Sequence, residues 1–599
     1  MRPVLALLSV LVLSWSTGVA GAPAWVEESD RNAAVLLDVM AQFAPETAGQ
    51  IGVDGYDEKV LDLGPEVYER SQAATQAAIA TLEQRRALTT DTAVLEDLDI
   101  LLQAARDSLA SQRLEHELML PYYNVPQTVF VGIKALLDPR VPKTRQQAAV
   151  KRLQAYAGMA EGAQPITELA KARTMERMGD ERLLGPYRGE VEQDLADAPR
   201  YVDGIAKLFA DAGLSGYEPA LKVLRKQIAD YQKWVRKTVL PRARTDHRLP
   251  PQLYADRLKQ YGVDVAPDEL IRRALLSFAE IRNEMQALAP LLARQIGLDA
   301  TDYRDVIRVL KKAQVQGAQI LPLYESRLAA IEKLVQMHDV VTLPQRKAVI
   351  RLASEAESAM IPAPFMSPPR LIGNTGEYGE FVLPLHVPGK AGRADLKTDD
   401  FTFDAAAWTL SAHEARPGHE MQFAAMIEKG VSIARAVFAF NSVNVEGWAL
   451  YAEAEMKPLF PLEGQLIGLQ HRMMRAARAF LDPMVNLGQI TPEQARAFLE
   501  REVVLSPGMA QQEVDRYTFR APGQATSYFV GYQALMALRQ RTELALGTRF
   551  DRRRFHDFVL AQGLLPPRLL ERAVFERFVP AELGGEKTGL PDPAAQPPR

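Results

Sequence analysis

Apolar residues recur along most of the chain at intervals of three and four, the spacing that lines up one face of an α-helix. Leu95, Leu98, Leu102, Ala105 and Leu109 fall on one face of a long helix, with Glu96, Gln103 and Asp107 away from it. The same period, with Pro or Gly near the ends, predicts helices over 145–161, 189–209 and 219–236. Ala266-Pro267-Asp268-Glu269 is a helix start, with Pro near the first turn and acids against the positive helix end, and a long helix to about Ala293 follows. Further helices are expected over 303–316, 320–338 and 344–358. No Ser/Gly-rich linker separates these segments, which predicts one large, mostly α body with two lobes.

The pattern changes at Ile361. Prolines 362, 364, 368 and 369 exclude helix, and the segment 379–387 has strand composition, with Pro384 placing it at a sheet edge. An edge strand can line a cleft and pair with a peptide backbone; it can equally be a small β-ribbon capping the core. Asp404 is positioned to cap a helix through Ala405 and Leu410 that carries His413 and Glu414 and meets Pro417-Gly418. Helices over 443–456, 462–480 and 492–503 and a final group over 525–577 complete the body, and the Pro- and Gly-rich tail beyond residue 584 is expected to be disordered. The chain divides into a 1–22 leader, a 23–360 helical scaffold, a 361–583 catalytic region and a 584–599 tail.

Composition narrows the function. The 599 residues are 47% hydrophobic and 24% charged with a formal net charge of -4, so there is a large core and no broad basic field for nucleic acid. Only the N-terminus departs from this average. Arg2, the apolar run Val4 to Trp15 and Ala20-Gly21-Ala22 have the layout of a secretory signal peptide, which predicts a periplasmic or secreted protein beginning near Pro23. No later stretch approaches 18 uninterrupted apolar residues, so stable membrane insertion after cleavage is not expected. Cysteine is absent, which excludes disulfides, a lipidated cysteine and thiolate zinc ligands. A transition metal would have to sit on His and carboxylates.

One stretch offers those groups. His413 is followed directly by Glu414, His419 lies six residues on, and Glu446 stands 27 residues beyond His419. Two imidazoles, a third carboxylate ligand and a carboxylate base beside a ligand are the parts of a hydrolytic metal site. The spacing is the obstacle: six residues apart on a regular helix differ by about 240° and about 9 Å of rise. Pro417 breaks the hydrogen-bond ladder and Gly418 frees the backbone, so a kink or widened turn would swing His419 round. The alternative is that Pro-Gly ends the helix and His419 caps it or fills the core.

These residues resemble a known family. His-Glu-x-x-Pro-Gly-His at 413–419, Glu-Gly-Trp-Ala-Leu-Tyr-Ala-Glu at 446–453, and Asp-Arg-Tyr at 515–517 before Pro-Gly-Gln-Ala-x-Ser-Tyr-x-x-Gly at 522–531 resemble bacterial domain-of-unknown-function family 885, as do 278–285 and 555–566. The resemblance implies a zincin-like metallopeptidase akin in architecture to thimet oligopeptidase and the Taq-type carboxypeptidases, with a small β-ribbon beside the active-site helix. It implies that His413, His419 and Glu446 hold one Zn2+ and that Glu414 activates water. Tyr528 is the candidate for binding the oxyanion, with Tyr517 and Tyr532 as rivals or substrate contacts. Arg516 is a candidate for a substrate carboxylate or a buried ion pair. Glu453, two turns beyond Glu446, is placed to orient a ligand His, and His386 to line the cleft or the core. The function expected is an exported peptidase that hydrolyses peptide bonds by metal-activated water. A metallohydrolase of another amide or ester, or an inactive binding protein on the same scaffold, are the alternatives.

Overall fold

The computed structural model describes residues 23–361, 363–384 and 399–584; the expected signal peptide, His386 and the tail from residue 585 lie outside them. Helix makes up 71% of the structure and strand 3%, the mostly α body that the periodicity predicts.

Two main cores organise the helices. One gathers Leu63, Phe130, Tyr156, Ile205, Phe209 and Tyr231. The other runs from Tyr254 through Phe278, Tyr324 and Phe403 to Phe480 and Phe529. The packing around the motif therefore begins near residue 254, upstream of the compositional boundary at 361, because the Pro-rich texture marks a change of local structure and not of core. In this second core the helix Pro267–Gln295 lies along Leu462–Asn486, which buries Leu466, Leu469, Met473, Ala476 and Phe480 at three- and four-residue spacing. A further cluster with Ile331, Ala412, Met421, Trp448, Tyr451 and Leu535 covers the other side of the motif.

The sheet differs from expectation. Its strands are β1 (Val349–Leu352), β2 (Phe365–Ser367) and β3 (Glu380–Leu383), in the order β1-β3-β2. β3 is the central strand, parallel to β1 and antiparallel to β2, and all four of its residues are buried. Pro384 follows the strand instead of interrupting it, so its missing N–H costs no ladder bond, and the continuous apolar run Phe381-Val382-Leu383 is what burial on both faces requires. The helix expected over 344–358 is two elements: Val349 and Ile350 pair in β1, and Ser354 then opens a short helix, Glu355–Met360, through a capping box with Glu357. Asp404 does not cap; its carboxylate accepts from Arg327 Nε at 2.5 Å while Phe403 takes the cap position.

The helix Ser442–Met456 crosses Ser527–Leu546 with backbone touching backbone. A Cβ on Gly531 would lie 1.9 Å from the Val443 carbonyl oxygen, and one on Gly447 2.6 Å from Gly531 Cα. On the far face of the same helix, Tyr451 donates to His556 Nε2 at 2.7 Å while His556 Nδ1 donates to Val340 O at 2.7 Å. Burial holds this imidazole neutral, with its pKa down at about 3.

Gly531→Ala is expected to force the two helices apart and lower stability by about 1–3 kcal/mol through overpacking, read as an earlier denaturant midpoint. His556 gives a pH test. Between about pH 6.5 and about pH 3 the unfolded chain takes up a proton that the native imidazole refuses, so stability falls as pH drops through that window. His556→Gln is expected to flatten that part of the stability-pH curve.

Candidate functional site

The helix Asp404–Leu410 passes into one wide turn of π geometry, Ser411–Ala415, and a new helix starts at His419–Lys429. The two imidazoles thus stand on different elements, and the six-residue spacing ceases to be an obstacle. The reversal depends on close contact. A Cβ on Gly418 would sit 1.9 Å from the carbonyl oxygen of His413 and 2.4 Å from that of Ala412. Trp448 Nε1 donates to Pro417 O at 2.9 Å and ties the turn to the helix that carries Glu446. Arg416 braces it from the other side, donating to Glu420 at 2.7 Å and to Glu332 at 2.9 Å.

His413, His419 and Glu446 bring one ligand atom each to within 4.8 Å of one another. Glu446 Oε2 is 3.7 Å from His413 Nε2 and 3.2 Å from His419 Nε2, and the two rings meet edge to face at 4.7 Å. That oxygen is buried and accepts no hydrogen bond. Its partner oxygen Oε1 accepts from Gln524 Nε2 at 3.3 Å. Glu414 lies beside the group, 4.0 Å from His413 Nε2, and is buried.

Behind His413, Glu453 Oε1 faces Nδ1 at 2.6 Å. An Nδ1–H donor there leaves the Nε2 lone pair aimed at the centre of the site. Glu453 is itself fixed by Thr409, whose hydroxyl donates at 2.5 Å, and by Arg475 at 3.3 Å. Burial opposes its charge, yet Arg475 and His413 outweigh burial and hold its pKa at about 2. Burial likewise opposes a proton on His413, but Glu446 and Glu453 lift its pKa to about 9. Glu446 is held well below the usual carboxylate range, against burial, by the two imidazoles. Glu414 shifts the other way: burial pushes it up, and the imidazoles offset this only in part. Two neighbouring carboxylates with opposite shifts give one fixed anion and one group suited to taking and returning a proton.

Tyr528 stacks near-parallel to His413 at 6.1 Å between ring centres, and burial raises its pKa. Arg516 interacts electrostatically with Tyr528, and its buried Nη1, unbonded among the described residues, is 3.8 Å from Glu513. The other two tyrosines are engaged elsewhere. Tyr517 is fully buried and donates to Glu513 at 3.0 Å, and Tyr532 packs against the cluster of Trp448 and Leu535.

Residues 45–574 match the family described as "Bacterial protein of unknown function (DUF885)". The chain belongs to the DUF885 family. No curated protein matches it. Two solved structures share its fold. One, described as a "putative lipoprotein of unknown function" from Shewanella oneidensis, superposes with a TM-score of 0.68 at 20% identity, covering 92% of this chain and 100% of that one. The other, a "putative lipoprotein" from Colwellia psychrerythraea, gives 0.73 at 18% identity, covering 93% of this chain and 100% of that one.

Several residues at the centre of this DUF885 chain have no assigned role on sequence grounds. Gln524 sits inside the Pro-Gly-Gln motif, and its position after a glycine was the only signal available. Thr409 precedes His413 by four residues, one helical turn, so a shared face was legible but the shared partner Glu453 was not. Arg475 and Arg478 lie mid-helix in Leu462–Asn486, where charged residues normally face solvent, and both are 4% exposed.

Glu453 is the one carboxylate within 4 Å of Arg475 among the described residues. Glu453→Gln should leave that buried guanidinium unpaired and destabilise by about 3–5 kcal/mol, against about 1 kcal/mol for Thr409→Ala, measured by denaturant unfolding.

Proposed function

We propose that this chain is an exported, zincin-like zinc peptidase that hydrolyses peptide bonds. The observation that carries the reading is the convergence of His413, His419 and Glu446 from three separate helical elements on one point, with Glu414 beside it. The donor set fits a divalent ion. Glu446 Oε2 is a buried carboxylate oxygen without a donor, and carboxylates that draw a proton onto His413 would equally stabilise a cation in its place. Two imidazoles and a carboxylate, with no thiolate, are a ligand set used for catalytic zinc. The ion supplies Lewis acidity toward a carbonyl and makes water easier to deprotonate at neutral pH.

The protein's own groups do the rest. Glu414, raised by burial, accepts a proton from water and returns it to the leaving amine. Tyr528 presents a phenol O–H that stays protonated at neutral pH, a donor for the oxyanion as it develops. Glu453 and Thr409 keep His413 in one orientation, and Gln524 holds Oε1 so that Oε2 faces the imidazoles. β2 packs against the wide turn and the His419–Lys429 helix, and its outer edge is left unpaired by β3. A peptide added along β2 would lie beside the motif, with backbone hydrogen bonds serving any side-chain sequence.

Export is supported by the leader-like segment and by the lipoprotein descriptions of the two fold neighbours. These 599 residues contain no cysteine, so they offer no thiol for a lipid anchor.

Purified protein is expected to carry one zinc per chain, lost in His413→Ala and His419→Ala. Glu414→Gln should keep the ion and lose about 10²- to 10⁴-fold in turnover of a mixed peptide library followed by mass spectrometry. Trace zinc in the unmodified protein, or undiminished cleavage by Glu414→Gln, overturns the reading.

A further inference from the structure

Two guanidinium groups lie over Tyr528, a third lies close by, and two carboxylates pair with the first two at short range. Arg475 pairs with Glu453 at 3.3 Å and lies 5.8 Å from the Tyr528 ring centre. Arg478 lies 4.5 Å over the same ring and directs Nε and Nη2 to the two oxygens of Glu513, each at 2.7 Å. Glu513 also accepts from the Tyr517 hydroxyl at 3.0 Å. Among the described residues Arg516 makes no short ion pair, and Glu446 and Asp482 act on it only at longer range. Its nearest carboxylate oxygen is Glu513 Oε1, already taken by Arg478, at 3.8 Å.

The donors are also unspent. Arg478 Nη1 and Arg516 Nη1 are both buried and make no hydrogen bond. Other buried arginine nitrogens are unbonded too, but these two stand on adjacent side chains, where one ligand would offset the desolvation of both. Both guanidiniums converge on Glu513 Oε1, which makes them neighbours, and a quarter of the Arg516 side chain remains accessible. Planar N–H groups on two adjacent guanidiniums match the two oxygens of a carboxylate better than any neutral acceptor.

We infer that Arg478 and Arg516 form a carboxylate-binding subsite beside Tyr528, and that the substrates are peptides presenting a free carboxylate to it. This rests on the peptidase reading for its place beside the reacting bond. The carboxylate has two sources, the C-terminal α-carboxylate and an Asp or Glu side chain.

The test is calorimetric binding to the full chain in the Glu414→Gln background, so that no turnover is needed. Three probes are compared: an acetylated tri-alanine as free acid, its C-terminal amide, and an amide with one Ala replaced by Glu. The free acid should bind about 10- to 100-fold tighter than the plain amide, the range of hydrogen bonds to a charged group. R516Q should abolish that difference, and R516K, which keeps the charge, should retain part of it. Recovery of tight binding by the Glu-containing amide supports the subsite with a side-chain source; its failure beside a tight free acid supports the terminal source. Equal binding of all three probes overturns the inference, and that comparison needs no Arg516 variant to fold. A chain that binds free acids selectively yet never cleaves a peptide would overturn the peptidase reading alone.

Discussion

The contact between Gly418 and the carbonyl oxygen of His413 is the constraint on which the site depends. With a hydrogen in place of a Cβ, the chain can fold back against the turn it has just left, where any side chain would meet the oxygen at 1.9 Å. That approach lets His419 open a new helix instead of continuing the old one. Everything else at the turn secures the same reversal. Trp448 holds the Pro417 carbonyl, and Arg416 is pinned between Glu332 and Glu420. The two histidines meet because the helix ends, which turns the alternative of a helix stopped by Pro-Gly into the condition for convergence.

A second constraint is electrostatic. Glu453, Glu414 and Glu513 are buried and Glu446 is partly buried within one region, where isolated carboxylates could not remain charged. Each is handled differently. Glu453 faces Arg475 and His413, Glu513 faces Arg478, and both stay ionised. Glu446 faces two imidazoles and one amide, with Arg516 at longer range. Glu414 is pushed up by burial, which the imidazoles and Arg475 offset only in part. A close arginine thus separates Glu453 and Glu513 from Glu446 and Glu414.

How far this was legible in the sequence depends on distance along the chain. The helices of the second half follow directly from three- and four-residue spacing, and Ser442–Met456 differs from its expected bounds by one residue at the start. The residues of the motif, and Glu453 behind them, were legible because each lies within one or two turns of another. The strand order was not. Phe381-Val382-Leu383 carries no alternation that tells an edge from a centre, and the neighbours of β3 come from segments some 15 and 30 residues upstream. The arginine cluster was equally hidden, since Arg478 and Glu513 are 35 residues apart and nothing local marks a mid-helix arginine as buried.

The three separated motifs share one physical design. In two of them a glycine at a backbone contact stands directly beside a residue of the site: Gly418 beside His419, and Gly447 beside Glu446. In the third, Gly523 donates its N–H to the buried Asp482 at 2.9 Å and precedes Gln524, while Gly531 lies three residues past Tyr528 at the helix crossing. A side chain three bonds from a backbone that cannot shift has little freedom of position, whereas one on a loosely packed helix face moves with its neighbours. The long intervals between the motifs are then free to vary, because register is set where backbones touch. Helix content alone would not have placed two imidazoles, a carboxylate and a phenol around one point; the glycine contacts do.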